Sequence, residues 1–100
     1  MVYVFLAEGF EEIEAIATID VLRRGGVDVR TISVMNGKRV AGAHGVAVEA
    51  DEMIDDVNID DAEMLVLPGG MPGASNLRAC DKLVDALRVF KGHIGAICAA

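Results

Sequence analysis

A cysteine framed by very small residues is the feature of this sequence best suited to covalent chemistry. Cys98 follows the apolar run His93-Ile94-Gly95-Ala96-Ile97 and precedes Ala99-Ala100. An apolar strand that feeds a nucleophile with small neighbours on both sides fits a sharp strand-to-helix turn, where only small residues fit beneath the reactive atom. A helix starting at Ala99 would add its dipole and free amides, both of which favour the thiolate. The competing reading of Cys98 is a small buried hydrophobe, the commoner fate of an intracellular cysteine.

Glu14 is the second candidate. It falls with Glu11 and Glu12 near the start of an expected helix, where carboxylates stabilise the N-terminus without further function. Glu14 differs because Ile13 and Ala17 border it on the apolar side. A half-buried carboxyl beside a thiolate is expected to carry a proton, since like charges oppose ionisation, and to donate a hydrogen bond to sulfur. Gly69-Gly70, after Pro68, either ends a strand or lets backbone amides approach an oxyanion next to the nucleophile. Asp20 reads as a paired, half-buried acid with no catalytic role. Cys80 opens the helix before the Cys98 strand and would be a resolving thiol only if the two sulfurs lay close together.

The histidines do not complete a catalytic pair. His93 opens the strand that Cys98 closes, and five residues at about 3.3 Å each separate them by roughly 16 Å. His44 lies in a hairpin region and could reach the site only across a subunit interface. No metal-ligand spacing or cofactor motif is present, so neither is expected.

These residues need a scaffold, and composition indicates its kind. The chain has 100 residues, 53% of them hydrophobic, with four aromatic side chains and no Trp. A core of Val, Ile, Leu and Ala suits a parallel sheet buried on both faces. No apolar run approaches the roughly 18 residues of a membrane span. The first residues lack a basic segment and reach Glu8 at once, so no signal peptide and a cytoplasmic address are expected. A net charge of −7 and a pI near 4.6 argue against nucleic acid as a partner. Two cysteines read as free thiols.

Hydrophobic patterning predicts strands over 2–6, 28–34, 45–49, 64–67 and 93–97 and helices over 11–24 and 81–90. The first helix is expected to carry an apolar stripe of Ile13, Ile16, Ala17, Ile19 and Val21. Leu83, Val84, Leu87 and Phe90 should face inward from the second. Asn36-Gly37 is a strong hairpin signal. Residues 51–62 read as acidic and irregular, and 71–76 as a loop. This order is α/β, and right-handed crossovers then give a doubly wound parallel sheet of flavodoxin type. Ligands in such sheets bind outside the carboxyl ends of the strands, where the strand order reverses. The turn before Glu14, the Pro68-Gly69-Gly70 turn and Cys98 all fall at such ends. No helix follows the last strand, so residues 1–100 are expected to be the N-terminal part of one domain. Residues beyond 100, or a second chain, would complete it.

Three segments in this order resemble the ThiJ/PfpI family of the class I glutamine amidotransferase-like superfamily, in the branch of the Parkinson-disease protein deglycase. They are Ala7-Glu8-Gly9-Phe10-Glu11-Glu12-Ile13-Glu14, Val66-Leu67-Pro68-Gly69-Gly70 and Ala96-Ile97-Cys98-Ala99-Ala100. Asp20 to Gly26 and Ala43 to Asp51 are similar too. The resemblance implies a flavodoxin-like sandwich of about twice this length. It implies Cys98 as nucleophile, protonated Glu14 as the holder of its thiolate, and the amides of Gly70 and Ala99 as the oxyanion site, with Gly69 in support. It also implies a homodimer, to which His44 and Arg24 are the candidate inter-subunit contributors. Family members carry a later His that this chain lacks. Their activities include glyoxalase III-like conversion of small dicarbonyls, deglycation, redox sensing and chaperoning, peptidase action, and an assignment to thiazole monophosphate biosynthesis. The first two, acting on a small carbonyl substrate, are the leading expectation. Redox response through a Cys98 sulfinate is the alternative, and a cysteine peptidase is a third.

Overall fold

Alternate residues of strand β1 (Val2–Leu6) point to opposite sides of a sheet, and both sides are apolar. Val2, Val4 and Leu6 enter one core with Phe10, Ala15, Val29 and Val66. Tyr3 and Phe5 enter the other with Ile32, Leu65, Leu77 and Leu83. A strand buried on both faces has to lie inside a parallel sheet with a layer on each side.

The computed structural model describes residues 1–97. Along the chain, β1 is followed by α1 (Glu12–Arg24), β2 (Val29–Ser33), β3 (Arg39–Ala41), β4 (Ala47–Glu49) and β5 (Glu52–Met53). Two short 3-10 turns lead to β6 (Met64–Leu67), α2 (Gly73–Arg78), α3 (Asp81–Val89) and β7 (His93–Ala96). The main sheet has the order β5-β2-β1-β6-β7, and every pairing in it is parallel. Connection order therefore reverses between β1 and β6, as the doubly wound reading requires.

Several local expectations are corrected. Asn36-Gly37 does not join two paired strands. Ser33 Oγ donates to the Gly37 carbonyl (2.6 Å) and accepts from Met35 N–H (3.1 Å), turning the chain out of the sheet. The hairpin lies one step later, where β3 pairs antiparallel with β4 around Ala43-His44-Gly45. Residues 73–78 are helical rather than looped, because Leu77 and Ala74 find the Tyr3–Phe5 side of the core. The acidic stretch contributes the edge strand β5, paired with Ile32 and Ser33.

Helix α1 turns a different face inward than its stripe predicts. Ala15 is fully buried, and Ile19 and Leu22 pack against the core, whereas Ile13 is 76% exposed and Val21 65%. Ile13, Ile16, Ala17 and Asp20 instead line an open groove with Val46. In α3 only Leu83 is fully buried, and Val84, Leu87 and Phe90 are half-buried. At the sheet edge, Ile94 of β7 is 46% exposed.

Asp51 ties α1, β2 and the β4–β5 junction together. Its Oδ2 accepts from Arg23 Nη2 (2.9 Å), Thr31 N–H (2.9 Å) and Thr31 Oγ (3.1 Å). Asp51 N–H in turn donates to Thr31 Oγ (2.8 Å), and Arg23 also donates to the Val29 carbonyl. Burial alone would raise the Asp51 carboxyl, but the Thr31 and Arg23 hydrogen bonds hold it below its ordinary value. Replacing Asp51 by Ala leaves the Thr31 amide without its partner. The expected cost is about 1–3 kcal/mol, read as a lowered urea midpoint at pH 7. An unchanged midpoint would show that water replaces the carboxylate without loss.

Candidate active site

Two chain turns meet at the carboxyl ends of β1 and β6, and they meet backbone to backbone. Glu11 N–H donates to the Gly69 carbonyl (2.9 Å), and Gly73 N–H donates to the Gly9 carbonyl (3.1 Å). Gly70 has φ +104°, and a Cβ there would lie 2.5 Å from the Glu11 nitrogen. Gly9 has φ +87°, and a Cβ there would collide with Pro72. Both positions demand glycine, for conformation and for space.

Glu14 enters this junction from α1. Its Oε1 accepts the Gly69 N–H at 3.0 Å, across 55 residues of sequence. Two of the sequence candidates, Glu14 and Gly69, are therefore in direct contact, with Gly70 beside them. β7 ends at the same place: Leu67 is in register with Ala96, and Ile97 N–H donates to the Leu67 carbonyl (3.1 Å). Cys98 and Ala99 lie outside the described residues.

The helix start is held from its other side by a contact that sequence reasoning missed. Glu12 is buried, 7% exposed. Its Oε2 accepts from His44 N–H (2.7 Å) and Val46 N–H (3.2 Å), and its Oε1 lies 3.0 Å from His44 Nδ1. Burial would raise the Glu12 carboxyl, but the His44 ring and the backbone amides of Val46 and His44 lower it to about 2. The same hydrogen bond and the Glu12 charge raise His44 above its ordinary value. Glu11 caps α1 by accepting from Ile13 N–H (2.9 Å). Glu11, Glu12 and His44 each bring a ligand-type atom within 4.8 Å of the others. The Glu12 oxygens are already engaged by N–H donors, so the group reads as a hydrogen-bonded clamp.

Other candidates lie elsewhere. Arg24 pairs through Nε with Asp20 (2.9 Å) on the exposed side of α1. Cys80 is a half-buried free thiol that precedes α3. The link between Glu12 and His44 has no local signal, because it depends on where the β3–β4 hairpin folds back.

Comparison with known proteins accords with this architecture. The model of the DJ-1/PfpI family matches residues 1–100. DJ-1 homolog A of Arabidopsis thaliana is 40% identical over 83 residues, covering 83% of this chain and 21% of that protein. The glutathione-independent glyoxalase DJR-1.2 of Caenorhabditis elegans is 38% identical over 95 residues, covering 92% of this chain and 50% of that protein. The structure of oxidized Toxoplasma gondii DJ-1 superposes with a TM-score of 0.93 at 40% identity, covering 98% of this chain and 55% of that one. The chain thus spans from about a fifth to about half of the length of these relatives.

The Glu12–His44 contact has a defined pH window. Glu12 is lowered, so its contribution is present above the ordinary value of 4.5 and is lost as pH falls toward about 2. His44 is raised, so its contribution is complete below 6.5 and is lost as pH rises through its folded value. The charged contact is strongest between these limits. An NMR titration of the His44 ring should show a midpoint above 6.5 that falls in Glu12→Gln. Equal midpoints in the two proteins would dissolve the pair.

Proposed function

Since the chain belongs to the DJ-1/PfpI family, we propose that it forms the nucleophile-bearing part of a cysteine-dependent enzyme acting on small reactive dicarbonyls or their adducts. The observation that carries this reading is the Glu14–Gly69 hydrogen bond, which sets a carboxyl and a glycine turn together where β7 delivers the chain to Cys98. The glyoxalase name of the C. elegans relative points to the same substrate class.

The chemistry follows from these positions. The Cys98 thiolate adds to the aldehyde carbon of a compound such as methylglyoxal, forming a C–S bond and a hemithioacetal. The oxygen that gains charge is met by the amides of Gly70 and Ala99. Glu14 holds the thiolate through a donated hydrogen bond and gives that proton to the new oxygen as the C–S bond forms. As a carboxylate it then moves a proton from the aldehyde-derived carbon to the adjacent one, while the hydroxyl proton passes to the neighbouring oxygen. Water cleaves the resulting thioester, releasing lactate and the thiol. The sequence is an internal redox exchange plus hydration, so it needs no external oxidant and no cofactor.

A second reading draws on the T. gondii relative, whose structure is of an oxidized protein. Oxidation of Cys98 to sulfinate would make this chain a redox-responsive protein, with Glu14 donating to a sulfinate oxygen. The two readings separate in one experiment on the full-length protein. The enzyme reading expects Cys98→Ala to abolish lactate formation from methylglyoxal. It expects Glu14→Gln to reduce it by about 10²–10⁴-fold. Turnover that survives Cys98→Ala ends that reading. A selective gain of two oxygens at Cys98 after mild peroxide, without turnover, favours the redox role.

We also assign the outer face of α1 to a homodimer contact and the completion of the domain to residues beyond 100. Ile13, Ile16 and Val46 are exposed there, at 76%, 40% and 49%. Arg24 follows Ile13 by 11 residues, which returns it to the same side of the helix, and His44 stands beside Glu12 at the near end. A partner seated on this face would bring both inter-subunit candidates to the boundary. Light scattering should show the full-length protein as a dimer and an Ile13→Lys/Ile16→Lys variant as a monomer. Residues 1–100 alone should bind an apolar dye through the open β7 edge. A monomeric parent, or a fragment that unfolds cooperatively without dye binding, would remove the corresponding assignment.

A further inference from the structure

The first turn of α1 is gripped from two opposite sides. Residues two apart on a helix point about 200° away from each other. Glu12 accordingly faces the β3–β4 hairpin while Glu14 faces the Pro68-Gly69-Gly70 turn. Glu11 already caps the helix, so the buried charge of Glu12 is not needed for capping. An ionised carboxylate buried to this degree is costly unless donors surround it. Here the donors that come from elsewhere in the chain all belong to one short loop: His44 N–H, His44 Nδ1 and Val46 N–H. Gly42 leaves the space, since a Cβ there would collide with the Glu12 carboxyl.

The loop so gathered holds the turn that precedes the helix. Ala43 N–H donates to the Phe10 carbonyl (2.8 Å), and Gly9 N–H donates to the Ala41 carbonyl (2.9 Å). Ala41 N–H donates to Glu8 Oε2 (3.0 Å). That turn carries the Glu11 amide bound to the Gly69 carbonyl and the Gly9 carbonyl bound to the Gly73 amide. A continuous run of hydrogen bonds therefore joins the hairpin tip, the helix start and the glycine turn.

We infer that Glu12 is a positioning residue: by strapping residues 42–46 to the start of α1, it fixes the register in which Glu14 meets the Gly69 amide. Its relevance to catalysis rests on the site reading above, but its geometric content does not. Glu12→Gln keeps the shape and turns one acceptor oxygen into an NH2 group, which cannot accept from the loop. His44→Asn keeps both backbone donors and a side-chain donor.

The test uses the full-length protein with two readouts, amide exchange at Gly69 and ultraviolet titration of the Cys98 thiolate. Glu12→Gln should speed Gly69 exchange by about tenfold beyond any change in global stability. It should also raise the Cys98 midpoint, in the direction of Glu14→Ala but by less. His44→Asn should leave Gly69 exchange near the parent rate. His44→Ala should speed it by about threefold, and because the His44 ring is 76% exposed this variant serves if Glu12→Gln does not fold. Gly69 exchange in Glu12→Gln or His44→Ala that tracks global unfolding alone overturns the inference. If Gly69 responds to Glu12→Gln while Glu14→Ala leaves the Cys98 midpoint unmoved, the strap stands and the thiolate-holding role of Glu14 falls. If Glu14→Ala moves the midpoint and Gly69 ignores Glu12→Gln, the strap falls and the catalytic reading stands.

Discussion

The contact between the turn after β1 and the turn after β6 is the constraint on which the site depends. No side chain separates the two backbones. Gly70 and Gly9 allow the approach, and a methyl group at either would meet main-chain or proline atoms. Because the turns touch through amides and carbonyls, the distance between them is set by hydrogen-bond length rather than by side-chain packing. The first turn of α1 inherits that fixed position through the Glu11–Gly69 bond. Glu14 can then reach the Gly69 amide without a flexible linker to absorb error.

Around that contact the sheet supplies stiffness. β1 lies between β2 and β6 and is buried on both faces, so it cannot shift without opening two cores at once. A one-residue slip would also send Tyr3 and Phe5 to the side occupied by Val2, Val4 and Leu6. The site thus stands on the most constrained strand in the sheet. The hairpin β3–β4 belongs to a separate two-stranded ribbon. It joins the sheet region through hydrogen bonds that involve Glu12, Phe10 and Asp51 and through Val40, which is fully buried in the core of Val4, Leu6 and Phe10.

Helix α1 serves two surfaces with one sequence. Ala15, Ile19 and Leu22 pack inward, while Ile13 and Ile16 stay on an open apolar groove. The inward residues Ala15, Ile19 and Leu22 keep the i, i+4, i+7 spacing of one helix face. The misleading part of the pattern is the second apolar row of Ile13 and Ile16, which lies on the outer side. An amphipathic stripe reports which residues leave water, and it does not say whether they do so against the same chain.

Much of this was legible in the chain by itself. The alternation and length of the apolar runs determined β1, β2, β6 and β7 of the parallel sheet and helices α1 and α3, because periodicity follows from local backbone geometry. The glycine turn and the acidic helix start located the candidate site, since strand ends at an order reversal are where such folds bind ligands. What the sequence could not determine was every feature that depends on which distant segments come together. Asn36-Gly37 has hairpin chemistry, but the parallel pairing of β2 with β1 and β5 left it no partner strand. Residues 73–78 have weak helix propensity and became helical because Leu77 found a core to fill. Beside Glu14, the sequence offers Glu11 and Glu12 as two equivalent helix-start carboxylates. Only the return of the hairpin over α1 decided that Glu12 is the buried one, because a carboxylate's burial is set by donors that arrive from elsewhere in the chain.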